Sequence, residues 1–271
     1  KACAVTHMSE KGKEVHVEMI KQGLLEDDIF TGTALLDMYA KCGDLAKATY
    51  VFNQLSTKNI VSWNALISGY VRHGYGVEAL KCYKQMKLAR VSSDAITFIC
   101  ALKACSLIRD VNEGQEIHTE IERTKFLERD PNVGTSLVDM YAKCACLAKA
   151  HKVFDTIPCR NAITWNALIG GYTEQGYGEE ALNLFKKMQS EGVPLDSVTF
   201  TCSLKACATV GAISKGEEIH AEIARRGILF KDIVMGNTLV DMYAKCGHLA
   251  KAQDILNSLP SQNVVSWNAL I

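Results

Sequence analysis

Histidine followed two residues later by glutamate occurs three times, as His16-Val17-Glu18, His118-Thr119-Glu120 and His220-Ala221-Glu222. An imidazole that ligates zinc beside a carboxylate that moves protons is half of what a zinc deaminase needs. The other half, Pro-Cys-x-x-Cys, would supply two thiolates, but Pro158-Cys159 is followed by Arg160, Asn161 and Ala162. Eleven cysteines are the next candidates for metal or nucleophilic chemistry, yet no two of them are spaced Cys-x-x-Cys. Phosphate-binding glycine loops, nucleophile elbows and dinucleotide fingerprints are missing as well. What these residues share is a spacing. Cys3, Cys105 and Cys207 lie 102 residues apart, as do Cys42, Cys144 and Cys246, the pair Cys100 and Cys202, and the three histidines. Chemistry repeated at a fixed period is a mark of architecture. The chain is therefore read as carrying no catalytic residue, no metal and no cofactor. Cys42, Cys105, Cys144, Cys207 and Cys246 are expected to be buried, reduced and metal-free, as small apolar residues of a reducing compartment.

The same period governs everything else. Trp-Asn-Ala-Leu-Ile begins at Trp63, Trp165 and Trp267, and Asp-Met-Tyr-Ala-Lys-Cys at Asp37, Asp139 and Asp241. Nearly half the positions of 29–130 are repeated in 131–232 without an insertion. Within one period, helical stripes alternate with small-residue breaks. Trp63, Leu66, Ile67 and Tyr70 fall at i, i+3, i+4 and i+7, and Gly74 and Gly76 are expected to end that helix. Ala79, Leu80, Tyr83 and Met86 form the next stripe. Leu35, Met38, Tyr39 and Cys42 lead to a break at Gly43, and Phe98, Ala101, Leu102 and Cys105 open a third hairpin. Helices this short are marginal alone. Each hairpin must bury its stripe against its neighbours, which is the logic of an α-solenoid. Cutting at equivalent places gives units at 1–28 (partial), 29–59, 60–94, 95–130, 131–161, 162–196, 197–232, 233–263 and 264–271 (partial), so that complete units have 31, 35 or 36 residues.

The chain has 271 residues, 48% of them apolar, with 30 basic and 30 acidic side chains. Zero net charge excludes attachment to nucleic acid or membrane by bulk basicity and leaves room for a local basic stripe. No apolar run reaches the 18 or so residues of a membrane-spanning helix. The chain begins at Lys1 with neither an initiator Met nor the pattern of a signal peptide, and it is expected to be a piece of a longer protein.

Trp63, Leu66, Tyr70 and Ala79 have tetratricopeptide spacing, but Ile67 stands where that family places Gly, and the unit length is not a regular 34. The alternation instead resembles the PLS class of pentatricopeptide repeat proteins of plant organelles. The 35-residue units are similar to P-type repeats (Trp63 to Tyr70, then Glu78-Ala79-Leu80 and Met86). The 31-residue units are similar to S-type (Asp37 to Gly43 with Val51-Phe52), and the 36-residue units to L-type (Leu204-Lys205-Ala206-Cys207 with Gly216, Ile219 and His220). The resemblance implies an all-α fold, a right-handed α-solenoid of helix-turn-helix hairpins. It also implies sequence-specific binding of single-stranded RNA, one base per repeat, most simply as the recognition array of an organellar C-to-U RNA editing factor. In such factors a separate C-terminal domain carries the deaminase chemistry. The implied home is mitochondrion or chloroplast, with the targeting segment outside this chain. The implied partners are single-stranded RNA and other editing-complex proteins, with no membrane and no small-molecule substrate.

The family pairs the fifth residue of a repeat with the last. Here the pairs are Thr33 with Asn59, Asn64 with Asp94, Ile99 with Asp130, Thr135 with Asn161, Asn166 with Asp196, Thr201 with Asp232 and Asn237 with Asn263. By the resemblance, Thr/Asn selects A, Asn/Asp selects U, Asn/Asn takes C or U, and Thr/Asp leans to G, with L-type repeats reading weakly. Ile99 has no hydrogen-bonding group and is expected not to discriminate. The implied target is 5′-A-U-n-A-U-(n/G)-Y-3′. The second residue of each repeat is the family's base-stacking position: Phe30, Val61, Ile96, Ile163, Val198 and Val234, with Asn132 departing from the apolar pattern. Lys41, Lys143 and Lys245, thirteenth in the short units, would meet phosphates. Plainer alternatives stand beside each role. The asparagines could merely bond backbone at a helix start, the aliphatics could pack between repeats, and the lysines could be solvated helix ends. At the level of function, the alternative is a tetratricopeptide-like scaffold that binds a protein or peptide.

Overall fold

The computed structural model describes residues 29–227, 233–259 and 264–270, and every regular element among them is a helix. Cys3, His16, Glu18, Asp232 and Asn263 lie outside the described residues. The chain divides into two compact units at Met140/Tyr141. The first contains α1 (Ile29–Cys42), α2 (Leu45–Gln54), α3 (Ile60–Arg72), α4 (Gly76–Leu88), α5 (Ala95–Ile108), α6 (Val111–Thr124) and the single turn α7 (Phe126–Arg129). Helix α8 (Pro131–Lys143) runs across the division. The second unit continues with α9 (Leu147–Thr156), α10 (Ala162–Glu174), α11 (Gly178–Ser190), α12 (Ser197–Val210), α13 (Ile213–Arg225), α14 (Ile233–Lys245), α15 (Leu249–Ser258) and α16 (Val264–Asn268).

Each unit is two-layered. In the first, α1, α3 and α5 pack on one another as one layer, and α2, α4 and α6 pack behind their hairpin partners. In the second, α10, α12 and α14 form the first layer, with α11, α13 and α15 behind. Helix α3 shows why the chain breaks where it does. Asn59, extended at φ −94° and ψ 175°, accepts the Ser62 N–H and caps the helix. Trp63, Leu66 and Ile67 then bury one stripe. Gly74 turns the chain at φ +83°, a left-handed conformation that is strained for any residue with a Cβ.

Gly76 behaves otherwise than its sequence position implies. It is the first residue of α4, and a Cβ there would sit 2.9 Å from the Ala104 carbonyl oxygen, so it is small because α4 lies against α5. The buried tryptophans repeat one packing motif. Phe52 meets Trp63 edge-on at 4.5 Å, and Phe154 meets Trp165 edge-on at 4.6 Å. Cys105 and Cys207 are buried, and burial pushes the Cys207 thiol up to about 12. Cys42, Cys144 and Cys246 are only half-buried, contrary to expectation, because each stands at or just past a helix end, with one side toward the turn.

Candidate nucleic-acid interface

The first helices place the same positions on the same face. Their second residues are Phe30, Val61, Ile96, Ile163, Val198 and Val234, and all six are between 54% and 83% exposed. A recurring row of solvent-facing aliphatic and aromatic side chains is not accounted for by packing between hairpins, since the packing stripe is a different set of residues. Asn132, second in α8, is also exposed. The fifth residues lie one turn further along the same face. The last residues Asn59, Asp94, Asn161 and Asp196 are the N-caps of α3, α5, α10 and α12, and in two cases the cap meets the fifth residue of its own unit.

In the first unit these positions line a single groove of about 450 Å³, walled by Phe30, Val61 and Ile96 with Thr33, Asn59 and Asn64 at its floor. Asn64 Nδ2 donates to Asp94 Oδ1 at 3.0 Å. The same oxygen caps α5 by accepting the Thr97 N–H at 2.8 Å. The Thr97 hydroxyl reaches Asn64 Oδ1 at 2.7 Å. The second unit repeats the arrangement: Asn166 Nδ2 to Asp196 Oδ1 at 2.9 Å, the Thr199 N–H to Asp196 Oδ1 at 2.8 Å, and the Thr199 hydroxyl to Asn166 Oδ1 at 2.8 Å. Burial alone would raise the Asp196 carboxyl. The Thr199 N–H and hydroxyl, the Asn166 amide and the Val198 N–H outweigh that and hold it below the ordinary carboxylate value.

The remaining pairs are built differently. Thr33 lines the groove and its buried Oγ1 has no hydrogen-bond partner among the described residues, while Asn59 spends its oxygen on the Ser62 N–H at 3.0 Å. Asn161 likewise caps α10 through the Thr164 N–H at 3.0 Å. The Thr135 hydroxyl donates to the Pro131 carbonyl at 3.2 Å, and the Thr201 hydroxyl turns back to the Ser197 carbonyl at 2.8 Å. Asp130 accepts from Asn132 N and Nδ2 at 2.8 and 2.9 Å, and its sequence partner Ile99 is half-buried. Asn237 Oδ1 is buried without a partner among the described residues.

Lys41 and Lys245 are exposed and paired one turn back with Asp37 (2.5 Å) and Asp241 (2.9 Å). Lys143 is exposed at the equivalent end of α8. Asp37 lines the groove, so the Lys41 pair belongs to the same face. The spacing-based reading missed Thr97 and Thr199. Their signal was present as the Asp-x-x-Thr capping box at the start of α5 and α12.

The two His-x-Glu motifs among the described residues do not converge. Residues two apart on a helix point in nearly opposite directions. Glu120 accepts from Lys87 Nζ and the Tyr83 hydroxyl, whereas His118 faces Glu122 at 3.6 Å. Glu222 pairs with Arg226 at 2.6 Å, whereas His220 Nδ1 lies 3.0 Å from the Tyr243 hydroxyl. Among the described residues no three His, Cys, Asp or Glu side chains are grouped to hold a metal.

Hairpins packed first helix on first helix, with polar residues repeated along that layer, define an α-solenoid repeat protein. The PPR repeat family model matches residues 58–106 and 160–209, and the PPR repeat model matches 33–60 and 237–264. The chain belongs to the pentatricopeptide repeat family. A chloroplastic pentatricopeptide repeat-containing protein of Arabidopsis thaliana is 34% identical over 271 residues, which is 100% of this chain and 43% of that protein. A mitochondrial one from the same plant is 38% identical over 260 residues, 96% of this chain and 25% of the relative. The chain thus spans less than half the length of either. Among solved structures, PPR10 in complex with an 18-nt psaJ RNA element is similar at TM-score 0.79 and 19% identity, over 97% of this chain and 40% of that one. The crystal structure of PPR10 from maize gives 0.78 at 19% identity, over 97% of this chain and 38% of that chain.

Proposed function

We propose that this chain reads single-stranded RNA sequence-specifically along its first-helix layers, one base per repeat, with 29–59 through 233–263 as the complete repeats. The observation that carries the reading is the convergence, in each unit separately, of an asparagine amide and a cap aspartate beside exposed aliphatic side chains (Asn64–Asp94 and Asn166–Asp196). Aliphatic walls suit the faces of bases, and an amide held at the floor suits their Watson–Crick edges. The fold shared with PPR10, solved with RNA, supports the same conclusion. On this reading the target is 5′-A-U-n-A-U-(n/G)-Y-3′. The PLS-like alternation of lengths supports a role as the recognition array of a C-to-U editing factor, with deamination carried by another domain or protein. Relatives named chloroplastic and mitochondrial support an organellar home.

The test is selection of bound RNA from a randomised pool by gel shift. The expected outcome is enrichment of A-U, one unselected position, then A-U. A chain that holds no RNA at low salt yet retains a peptide from a displayed library would establish the scaffold alternative instead.

A further inference from the structure

Asn64 and Asn166 can each present their amide in two orientations, and which one is fixed matters for pyrimidines. Uracil offers an N–H flanked by carbonyls on both sides. It pairs with an amide's adjacent N–H and C=O whichever way the amide is turned. Cytosine offers a ring acceptor with an amine on one side and a carbonyl on the other, so only one orientation suits it. An amide free to turn therefore takes both bases, and one locked in the orientation that does not suit cytosine takes uracil alone.

The lock has two sides. A carboxylate only accepts, so Asp94 commands the Nδ2 side of Asn64, at 3.0 Å. The Thr97 hydroxyl has one hydrogen and two oxygens in reach, Asn64 Oδ1 at 2.7 Å and Asp94 Oδ1 at 2.9 Å. Asp94 Oδ1 is already served by the Thr97 N–H and the Asn64 amide. The Asn64 oxygen is the needier acceptor in a buried setting, and the hydroxyl hydrogen stabilises it most. Thr97 and Thr199 are both fully buried, so neither acts through contact with RNA. Their place in the chain is also selective. In the other first helices that follow a complete repeat, the third position holds Ser62 and Thr164, whose hydroxyls engage the cap residues Asn59 and Asn161, buried Val133 and Met235, which have no hydroxyl, or buried Ser266, which follows Asn237, whose Oδ1 has no partner among the described residues.

We infer that Thr97 and Thr199 are positioning residues that set the choice of U over C at the Asn64 and Asn166 slots. The inference rests on the RNA-reading proposal and adds residues from outside the fifth/last pair. It follows that the Ile99 and Thr201 slots, with Val133 and Met235 at this position, have no such lock.

The experiment uses the whole chain and four RNAs that differ only at the nucleotide assigned to Asn64, with Thr97→Val as the isosteric change. The parent prefers U to C. Thr97→Val lowers that ratio by at least about fivefold, the scale of losing one donor to a buried acceptor. Thr97→Ser keeps it, and the ratio at the Asn166 nucleotide does not change. Thr199→Val shows the converse and carries the test if Thr97→Val does not fold. A cap lost from α5 without a positioning role would lower the melting temperature and weaken all four RNAs alike. A folded Thr97→Val protein with the parent's U-to-C ratio, or with a uniform loss, overturns the inference. A parent with no preference at that nucleotide overturns the fifth/last reading itself, and this inference with it.

Discussion

Asp94 and Asn59 perform the same structural task and differ in what else they can do. Each stands in extended conformation before a first helix and accepts the N–H three residues on, from Thr97 and Ser62. The carboxylate of Asp94 has charge to spare and also takes the Asn64 amide, which orders the fifth residue from below. The neutral amide oxygen of Asn59 is occupied by its cap bond, and the buried hydroxyl of Thr33, a residue of the same groove, is left without a partner among the described residues. On the proposed function, capping and reading therefore fall to one residue. Exchanging Asp for Asn keeps the helix start and changes what the groove presents.

The largest effect expected from this comparison is a transplant. Asn64→Thr together with Asp94→Asn rebuilds the Thr33/Asn59 arrangement at the next slot. It should change the preferred base there from U to A, by about 1–3 kcal/mol, the scale of base discrimination in duplex DNA. Competition binding with RNAs altered at that single nucleotide measures it. An unchanged preference would mean that the groove chemistry does not follow the pair.

The next effect separates the two caps by charge. Asn161→Ala and Asp196→Ala should each cost on the order of 1 kcal/mol of stability at neutral pH, as lost N-caps do. Acid should tell them apart. The folded-state value of Asp196 is depressed below 3.8, so its contribution is fully present above that value and is lost as pH falls through the folded one. Asn161 has no proton to gain. Denaturant unfolding at neutral and acid pH should show Asp196→Asn removing part of the parent's acid sensitivity, with Asn161→Ala leaving it in place.

Much of this organisation was legible in the residues. Stripes such as Trp63, Leu66 and Ile67 mark buried faces because a 3.6-residue period admits few alternatives, and Gly74 marks a turn because its left-handed backbone disfavours a Cβ. For Phe30 and Val61 the residues alone left packing between repeats open, and only the family resemblance favoured the open face on which both are exposed. What could not be read was partnership. Spacing places Asn64 and Asp94 at equivalent positions in every period, but nothing in it says that a buried Thr97 hydroxyl completes the set. That contact depends on the path of the chain between α4 and α5. Gly76 was misjudged for a related reason, since its small size answers to a carbonyl 28 residues away, at Ala104, and not to the local turn. Cys42 and Cys246 were placed too deep because identity at a period reports an equivalent site without its depth.

The smallest expected effect lies outside the pairs, at the lysines. Phosphates are the same in every sequence, so Lys41, Lys143 and Lys245 can add affinity but no base choice. Replacing all three by Ala should weaken matched and mismatched RNA by the same factor. The slope of log affinity against log salt should fall by about 2, from roughly 0.7 per lost contact on a single strand. The pairing of Lys41 with Asp37 and Lys245 with Asp241 gives a second arm. Asp37→Asn with Asp241→Asn releases those ammonium groups and removes two negative charges from the same helices. It should tighten every RNA alike, at a stability cost of a few tenths of a kcal/mol per lost i,i+4 pair. Such uniform effects would contrast with the single-nucleotide effect of the Asn64/Asp94 transplant and would assign affinity and choice to different residues of the first helices. An unaltered salt slope in the triple variant would leave the lysines as partners of their aspartates only, with RNA held through the walls and floor of the groove.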